Sequence, residues 1–172
     1  MRPEKVDRMQ TFRPAHPGDA EAIAVIHRHD HVTPFVSERS TAEIRASIAN
    51  LAERYLVLCG EAGDCLGFSY LFGLDGNDQR AELRQLAVAS PGQGHGAALL
   101  RQTVAFVFEH LLKNRLWLDV FPQNAPARAL YARHGFVEEG TLREAYLLPS
   151  GFQSTIVMSI LARDYYAARR QP

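Results

Sequence analysis

Residues 83–98 read LRQLAVASPGQGHGAA, and this stretch decides how the middle of the chain folds. Its first part, Leu83–Val88, is typical of a β-strand, and the glycine-rich turn Gly92–Gly96 then begins a helix. The first N–H groups of a helix have no partner within it, and glycines let a ligand approach the backbone closely. The turn therefore suits an anion such as a phosphate. The alternative is that the glycines only serve a tight connection between strand and helix.

Two familiar phosphate-binding motifs do not fit this turn. A P-loop ends in Gly-Lys-Ser or Gly-Lys-Thr, and none of these glycines is directly followed by a lysine. The dinucleotide fingerprint G-x-G-x-x-G matches at Gly94 and Gly96, but Leu99 stands where its third glycine belongs. That fingerprint also usually follows the first strand of a chain, whereas this turn lies in the middle. An unrelated nucleotide-binding protein is therefore disfavoured.

The sequence on both sides of the turn alternates between strand and helix patterns. In chain order these predict a strand at 11–15, helices that begin near 17 and 40, strands at 55–59, 65–74 and 81–88, a helix after 92–96, a strand at 116–121, a helix after 124, and a hairpin of strands at 136–147 and 152–161. A meander followed by a strand–helix–strand unit predicts an α/β fold with a mixed sheet and helices on both faces. Residues 11–162 are assigned to one domain, 1–10 to a flexible leader and 163–172 to a C-terminal tail.

The composition argues against several classes of protein. Nineteen Lys and Arg residues balance nineteen Asp and Glu residues in a chain of 172, and without a basic excess nucleic acid is not an expected partner. No apolar run approaches the ~18 residues of a membrane span. The first ten residues lack the apolar core of an export signal, so we expect a cytoplasmic protein in which Cys59 and Cys65 are reduced thiols. The preference for arginine over lysine hints at a bacterial source.

A second group of motifs lies downstream of the turn. Gln93, Gly96 and Ala98 form the pattern Gln/Arg-x-x-Gly-x-Gly/Ala, and residues 124–136 contain Asn-x-x-Ala, then Leu-Tyr, then Gly-Phe. With the order of strands and helices, these motifs resemble the GNAT superfamily of acyl-CoA-dependent N-acetyltransferases over roughly residues 11–162. The resemblance implies a central, mostly antiparallel sheet of about seven strands with helices on both faces. It also implies acetyl-CoA as the donor, no metal, and direct attack by a primary amine in a ternary complex.

The resemblance further implies which residues hold the cofactor. Backbone N–H groups of the turn cradle the pyrophosphate of coenzyme A, and the small residues Gly96 and Ala98 leave room for its oxygens. A bulge opens the sheet beside the preceding strand, so that the pantetheine arm pairs with free backbone groups, and the amide of Val88 polarises the thioester carbonyl. Asn124 caps the next helix and also binds the arm. The implied cofactor-binding residues are Leu86, Ala87, Val88, Gln93, Gly94, His95, Gly96, Ala97, Ala98 and Asn124.

Tyr131 and Glu82 are the catalytic residues that the resemblance implies. In the family, a tyrosine at the place of Tyr131 protonates the departing thiolate, and a phenol of pKa ~10 can deliver a proton to a thiolate whose conjugate acid has a pKa near ~8.5. The recurrence of Ala127, Leu130, Tyr131 and His134 at helical spacing leaves the alternative of a core aromatic. Glu82 precedes Val88 by six residues, which matches the glutamate base of the histone-acetylating branch. A surface carboxylate is the alternative for Glu82.

A histidine-rich segment precedes the second predicted helix. His27, His29 and His31 have no recognisable further ligand, so no metal site is predicted and exposed histidines at a helix end are the default. In the family, the segment between the first two helices lines the acceptor site. The implied acceptor-binding residues are therefore His31, Thr33, Phe35 and Glu38.

The identity of the acceptor stays open at this point. Residues 135–146 look like the branch that contains polyamine, phosphinothricin and ribosomal-protein N-terminal acetyltransferases, so the amine belongs either to a small molecule or to a peptide or protein N-terminus. A second class of function is a non-catalytic sensor that binds acetyl-CoA with the same fold, and the presence of Tyr131 favours the enzyme over it. Members of the family are often dimeric, which leaves a homodimer open.

Overall fold

A computed structural model describes residues 10–170, which form one seven-stranded sheet in the order β1-β2-β3-β4-β5-β7-β6. The strands are β1 Thr11–Pro14, β2 Glu53–Cys59, β3 Cys65–Phe72, β4 Arg80–Val88, β5 Arg115–Val120, β6 Val137–Leu148 and β7 Gly151–Leu161. Neighbouring strands are antiparallel except β4 and β5, which are parallel. The predicted mixed and mostly antiparallel sheet is confirmed. The predicted leader at 1–10 lies, apart from Gln10, outside the described residues.

Helices cover both faces of the sheet, as predicted. They are α1 Ala20–His27, α2 Thr41–Ala49, α3 His95–Ala105, α4 Ala125–Arg133 and α5 Ala162–Arg169. One buried cluster joins the sheet to α3, α4 and α5 through residues such as Leu100, Tyr131 and Tyr165. A second cluster joins the sheet to α1 and α2 through Ile23 and Ile44. Within residues 10–170, no helix combines the length and the apolar character needed to cross a membrane.

Local sequence signals mark the start of α2 and both ends of α4. Ser40 and Glu43 form a capping box at the start of α2, in which the N–H of each donates to the other's side chain over 2.8 and 3.3 Å. At the start of α4, the Asn124 Oδ1 accepts from the N–H of Ala127 over 3.3 Å. Gly135 follows the end of α4 with a φ of +89°, a conformation that suits glycine. These three predicted signals are confirmed.

A bulge in β4 changes the face that the strand presents. The register between β3 and β4 shifts at Tyr70–Leu71, and Arg84 is the residue of β4 left without a partner. Leu83 packs in the cluster with α3, whereas Ala87 packs in the cluster with α1. Residues four apart in a regular strand share one face, so the bulge rotates the end of β4 toward the α1 side.

The sheet opens between β4 and β5. The two strands pair only between Arg80–Glu82 and Arg115–Trp117. Beyond these pairs, Leu83–Val88 continues beside β3, and Leu118–Val120 continues beside β7. A cleft therefore forms at the carboxyl ends of two parallel strands, which is where ligands commonly bind in open α/β sheets.

The C-terminal end corrects the tail predicted at 163–172, because Ala162–Arg169 forms α5. Tyr165 is only 9% exposed, and its ring centre lies 5.1 Å from that of Phe108. Its hydroxyl donates to the Glu109 Oε1 over 2.6 Å. Since Tyr165 is the one buried residue of α5, the sequence carries almost no apolar periodicity there, and this explains why the helix was missed.

Candidate active site

The opening between β4 and β5 continues into a cavity of about 900 Å³. Its walls come from the segment after α1, from β2, β3 and β4, from the end of β5, from α4 and from the β6–β7 hairpin. The sequence-predicted site residues that line it are Thr33, Phe35, Glu38, Glu82, Leu86, Asn124 and Tyr131. One cleft thus brings together predicted acceptor, catalytic and cofactor residues, while the turn residues 93–98 lie at the start of α3.

The start of α3 has the features of an anion site. Gly94 is its N-cap residue with a φ of +80° and no side-chain cap, and the Ala98 N–H makes a helical bond to the Gly94 oxygen over 3.0 Å. The N–H groups of Gly94, His95, Gly96 and Ala97 precede this bond, so the first turn of α3 is left to an external acceptor. The predicted residues 93–98 therefore converge on one helix end.

Gly96 is a glycine that the protein itself does not require. A Cβ at Gly96 would lie 3.7 Å from a methyl of Leu130 and 4.0 Å from a methyl of Val88, which are ordinary packing distances. Its φ lies outside the left-handed range that explains Gly94. The space in front of the Gly96 backbone is therefore left for a ligand rather than for the fold.

Two residues near the end of β4 direct their backbone groups into the opening. The Ala89 N–H donates to the Leu66 oxygen of β3 over 2.9 Å, and backbone directions alternate along a strand. Ala87 consequently also faces β3, while Leu86 and Val88 face the side from which β5 has departed. The prediction that Ala87 offers free backbone groups is wrong for this reason, and its side chain is buried beside α1.

His31 lies against the end of β4 rather than among the residues that line the cleft. Its Nε2 is 2.9 Å from the Val88 oxygen, and the Nδ1 of His29 is 3.1 Å from the Ala89 oxygen. The two imidazole rings contact each other, with centres 5.4 Å apart. His31 therefore bonds the strand that carries the predicted cofactor contacts, whereas Thr33 lines the cavity as predicted.

His27 departs from the expectation of exposed histidines at a helix end. It is fully buried with its ring centre 4.8 Å from that of Phe68, and neither ring nitrogen has a hydrogen-bond partner within residues 10–170. Burial, reinforced by the charges of Arg39 and Arg28, lowers its pKa to about 4. In the same described part of the chain, no group of three His, Cys, Asp or Glu side chains is placed to hold a metal.

Tyr131 is both a core aromatic and a residue of the cleft. Its ring centre lies 5.7 Å from that of Phe136 inside the α3–α5 cluster, and the side chain lines the cavity. Within residues 10–170 its hydroxyl has no hydrogen-bond partner. Burial, with a smaller contribution from the charge of Asp119, raises its pKa to about 12. The hydroxyl is therefore protonated at neutral pH and available to a ligand.

Glu82 is held in the cleft by an ion pair. The Nε and one terminal nitrogen of Arg84 donate to its two carboxylate oxygens, each over 2.9 Å. The guanidinium carbon of Arg84 lies 3.6 Å from the ring centre of Phe72. The Glu82 side chain is 13% exposed, so it is a cleft residue in a bidentate pair and not an isolated surface carboxylate.

Asn124 uses one half of its side-chain amide for the fold. Its Oδ1 caps α4, while its Nδ2 makes no hydrogen bond to the described residues. Asn124 lines the cavity beside Ala127 and Leu130. The arrangement allows the Nδ2 group to donate to a ligand while the helix cap stays in place, as the predicted double role requires.

Several residues of the cleft were not predicted. Tyr146 donates to the Asp119 Oδ1 over 3.3 Å, and Tyr70 donates to the Glu53 Oε2 over 2.5 Å. Burial and then the Asp119 charge raise the pKa of Tyr146 to about 12. These residues come from four strands and form no local motif, although the polar positions within otherwise apolar strands were a signal that could have found them.

The charge of the cleft differs from that of the whole chain. Of the residues that line it, four carry carboxylates and two carry guanidinium groups. These are Glu38, Glu53, Glu82, Asp119, Arg39 and Arg84. The cleft therefore carries an excess of two negative charges, which favours a cationic ligand.

Comparisons with known proteins identify the family. The model of the acetyltransferase (GNAT) family matches residues 21–136. The chain belongs to this family. The putative ribosomal N-acetyltransferase YdaF of Bacillus subtilis (strain 168) is 28% identical over 175 residues, which cover 94% of this chain and 96% of that protein. The spermidine N(1)-acetyltransferase of Vibrio cholerae is 31% identical over 116 residues, which cover 66% of each chain.

A solved structure of a related enzyme supports the same assignment. The spermidine N-acetyltransferase of Vibrio cholerae in complex with CoA and spermine matches with a TM-score of 0.82 and 25% identity, over 92% of this chain and 98% of that one. The protein described here is accordingly a GNAT-type N-acetyltransferase, with acetyl-CoA as its donor and an amine as its acceptor. The open turn before α3, the space at Gly96 and the free Asn124 Nδ2 fit that donor.

Proposed function

We propose that this N-acetyltransferase acetylates a primary amine of a cationic small molecule, by direct attack on acetyl-CoA in a ternary complex. The observation that carries the proposal is the excess of negative charge in the cleft. The neutral balance of the whole chain hides this excess, because basic residues elsewhere in the sequence compensate for it. The Vibrio cholerae relatives, which are named for spermidine, support a cationic acceptor.

The start of α3 is the proposed pyrophosphate site. The N–H groups of His95, Gly96 and Ala97 point out of the helix, and the helix dipole adds partial positive charge at the same place. No lysine or arginine occurs within residues 93–98. Binding therefore depends on the backbone, which is why a side chain at Gly96 matters.

The end of β4 is the proposed site of the pantetheine arm. Leu86 and Val88 present their backbone groups to the opening, and Asn124 offers its Nδ2 from the other wall. His31 already bonds the Val88 oxygen, so the Val88 N–H and the groups of Leu86 are the ones that remain for the arm. An extended amide chain can then pair with β4 as an added strand would.

Val88 and Tyr131 have the proposed roles at the reacting thioester. The Val88 N–H hydrogen-bonds the acetyl oxygen, on which negative charge develops during attack. The amine nitrogen bonds to the acetyl carbon, and the bond from that carbon to sulfur breaks. The Tyr131 hydroxyl gives its proton to the sulfur, and the proton that the new amide nitrogen loses restores the hydroxyl. The Tyr131 hydroxyl is protonated at neutral pH, as an ordinary phenol is, so the proton is in place before the reaction begins, and its raised pKa means that the proton leaves only as charge develops on the sulfur.

Glu82 is the proposed base for the acceptor. An aliphatic amine of pKa ~10 is mostly protonated at neutral pH, and freeing its lone pair costs about 4 kcal/mol. Glu82 lines the acceptor end of the cleft with Arg84 fixing both of its oxygens. The pair holds the carboxylate in one position, from which it takes the proton that the ammonium group releases.

The N-terminal amine of a protein is the second candidate acceptor. The relative that covers 94% of this chain carries the name of a putative ribosomal N-acetyltransferase, which favours it. The segment from Thr33 to Arg39 lines the cavity and is the part that a peptide acceptor has to pass. A homodimer and a cytoplasmic location stay predictions from the sequence.

A thiol-release assay tests the proposed function. The panel consists of spermidine, 1,4-diaminobutane, 1-aminobutane as the matched amine without a second charge, free amino acids, and peptides with free N-termini, each with acetyl-CoA. We expect turnover to be fastest with acceptors that carry a second positive charge. A preference for peptides over every cationic amine contradicts the small-molecule assignment. Acetyl-CoA binding without thiol release from any amine indicates the sensor instead.

A further inference from the structure

The side-chain amide of Gln85 is buried in the cleft with only one of its two ends paired. Gln85 follows the bulge at Arg84, is 8% exposed and lines the cavity. Its Nε2 donates to the Ser37 oxygen over 3.1 Å, which fixes the orientation of the amide. Its Oε1 is buried and has no hydrogen-bond partner within residues 10–170. Buried polar atoms in proteins usually have a partner, so this oxygen needs an explanation.

The chemistry of the unpaired atom restricts what can satisfy it. An amide oxygen accepts hydrogen bonds and cannot donate them, so its partner must carry an N–H or an O–H. Thr155 on β7 is another residue of the cleft with a buried and unpaired oxygen, but a hydroxyl both donates and accepts and therefore specifies no partner. Gln85 is thus the more informative of the two.

The position of Gln85 places it on the acceptor side. Its amide bonds Ser37, which belongs to the segment that also carries Thr33, Phe35 and Glu38 of the cavity wall. The next residue in β4 is Leu86, whose backbone faces the opening between β4 and β5. Gln85 therefore lies between the segment that borders the acceptor and the strand that borders the thioester.

We propose that Gln85 positions the acceptor, with its Oε1 accepting a hydrogen bond from an N–H of the reacting amine. This inference rests on the proposed function and adds a specificity residue to it. A neutral amide does not remove the proton, since that is the task of a base. It holds one N–H of the amine, and the nitrogen lone pair is then directed away from Gln85 and toward the acetyl carbon. Gln85 is accordingly a positioning residue.

Two substitutions separate this role from a purely structural one. Gln85→Met has a similar length but removes both the oxygen and the bond to Ser37. Gln85→Glu keeps an accepting oxygen, loses the Nε2 donor and replaces the neutral amide by a carboxylate. If Gln85 merely fastens the segment around Ser37, both variants lose the same bond and are equally impaired. If its oxygen accepts from the amine, only Gln85→Met is impaired.

The measurements are the KM for the best amine of the thiol-release panel, kcat, the Kd for acetyl-CoA by calorimetry, and the melting temperature. We expect Gln85→Met to raise the acceptor KM roughly tenfold or more with an unchanged Kd for acetyl-CoA, and Gln85→Glu to stay near the wild-type KM. Equal impairment of both variants, or an unchanged KM in Gln85→Met, overturns the proposal. A weaker Kd for acetyl-CoA also overturns it, since the oxygen then serves the donor.

Two further outcomes are also decisive. If the carboxylate of Gln85→Glu prevents folding, Gln85→Met alone decides. A raised acceptor KM with an unchanged Kd for acetyl-CoA then supports positioning, and an unchanged acceptor KM overturns it, whatever the melting temperature, because Gln85→Met loses the bond to Ser37 under either role. If the wild-type protein releases thiol with none of the amines, the proposed function fails and this role fails with it. An active wild type with an insensitive Gln85→Met overturns the role of Gln85 alone.

Discussion

Replacing Gly96 by alanine should make the protein more stable and its binding of acetyl-CoA weaker. Gly96 is the second residue of α3, and its Cβ would meet Leu130 and Val88 only at ordinary packing distances. Alanine is favoured over glycine in a helix by roughly 0.5–1 kcal/mol. We therefore expect the ligand-free variant to melt roughly 1–4 °C above the wild type.

Acetyl-CoA should reverse this order of stability. If the added methyl weakens binding tenfold, a concentration of 100 times the wild-type Kd stabilises the wild type by about 2.7 kcal/mol and the variant by only about 1.4 kcal/mol. The intrinsic gain of 0.5–1 kcal/mol, estimated from helix propensity, does not close that gap. The wild type should then melt above Gly96→Ala with saturating ligand and below it without ligand.

The assay is a pair of thermal melts with and without acetyl-CoA, together with calorimetry for the Kd. Ala98→Gly in the same turn is the matched control, because it removes a methyl, lowers stability by a similar amount and leaves more room for phosphate. An unchanged Kd in a stabilised Gly96→Ala would refute the pyrophosphate site. A destabilised variant would show instead that Gly96 is required by its packing against Leu130.

Four other substitutions test separate parts of the structure. Tyr131→Phe should lower kcat roughly 100-fold, which is the lower end of the range for a lost general acid, and leave the Kd for acetyl-CoA unchanged. Near-wild-type turnover contradicts the acid role if the chemical step is shown to be rate-limiting. Glu82→Gln should lower kcat/KM and flatten the acidic limb of the pH profile of kcat/KM. If the profiles of the variant and the wild type overlap, Glu82 is only a structural partner of Arg84. The pKa of His27 is about 4 in the folded protein and 6.5 in the unfolded chain. The free energy of unfolding should therefore be highest above pH 6.5 and fall by up to about 3 kcal/mol as the pH drops toward 4. His27→Leu should remove this pH dependence, which urea titrations at pH 7 and pH 4.5 measure. Tyr165→Ala should lower the free energy of unfolding by roughly 3–5 kcal/mol if α5 is part of the core. Tyr165→Phe is the control that keeps the ring. A loss below about 1 kcal/mol would show that α5 is a tail, as the sequence predicted.

Local signals explain why much of the fold was predictable. The capping box at Ser40, the cap at Asn124 and the glycine after α4 act within a few residues, so their effect can be read directly from the sequence. The order of strands and helices follows from such signals and from apolar spacing. The helix α5 was not predicted because it is short and Tyr165 is its one buried residue, while its other residues are alanine, arginine, aspartate and the exposed Tyr166.

The residues of the cleft could be predicted only where they belong to a sequence motif. Tyr131 and the turn before α3 belong to motifs of contiguous residues, and the structure places them at the cleft and at its helix end. Ala87 was assigned wrongly because pairing with β3 decides which backbone groups are free, and a list of adjacent residues does not contain that information. His27 was assigned wrongly because α1 directs its side chain into the core, where neither ring nitrogen has a hydrogen-bond partner among residues 10–170.

Gln85 shows how one irregular residue redirects the chemistry of a strand. In a regular strand, Gln85 shares the face of Leu83 and would point into the apolar cluster under α3 and α4, where a polar amide is costly. The bulge at Arg84 rotates the end of β4, so that Gln85 instead meets Ser37 on the α1 side and Ala87 packs beside α1. Beyond the same bulge, Leu86 and Val88 direct their backbone groups toward the opening. A single inserted residue therefore brings the amide that we propose for the acceptor and the backbone groups that we propose for the thioester onto the same short segment. A direct transfer between two bound substrates requires such proximity.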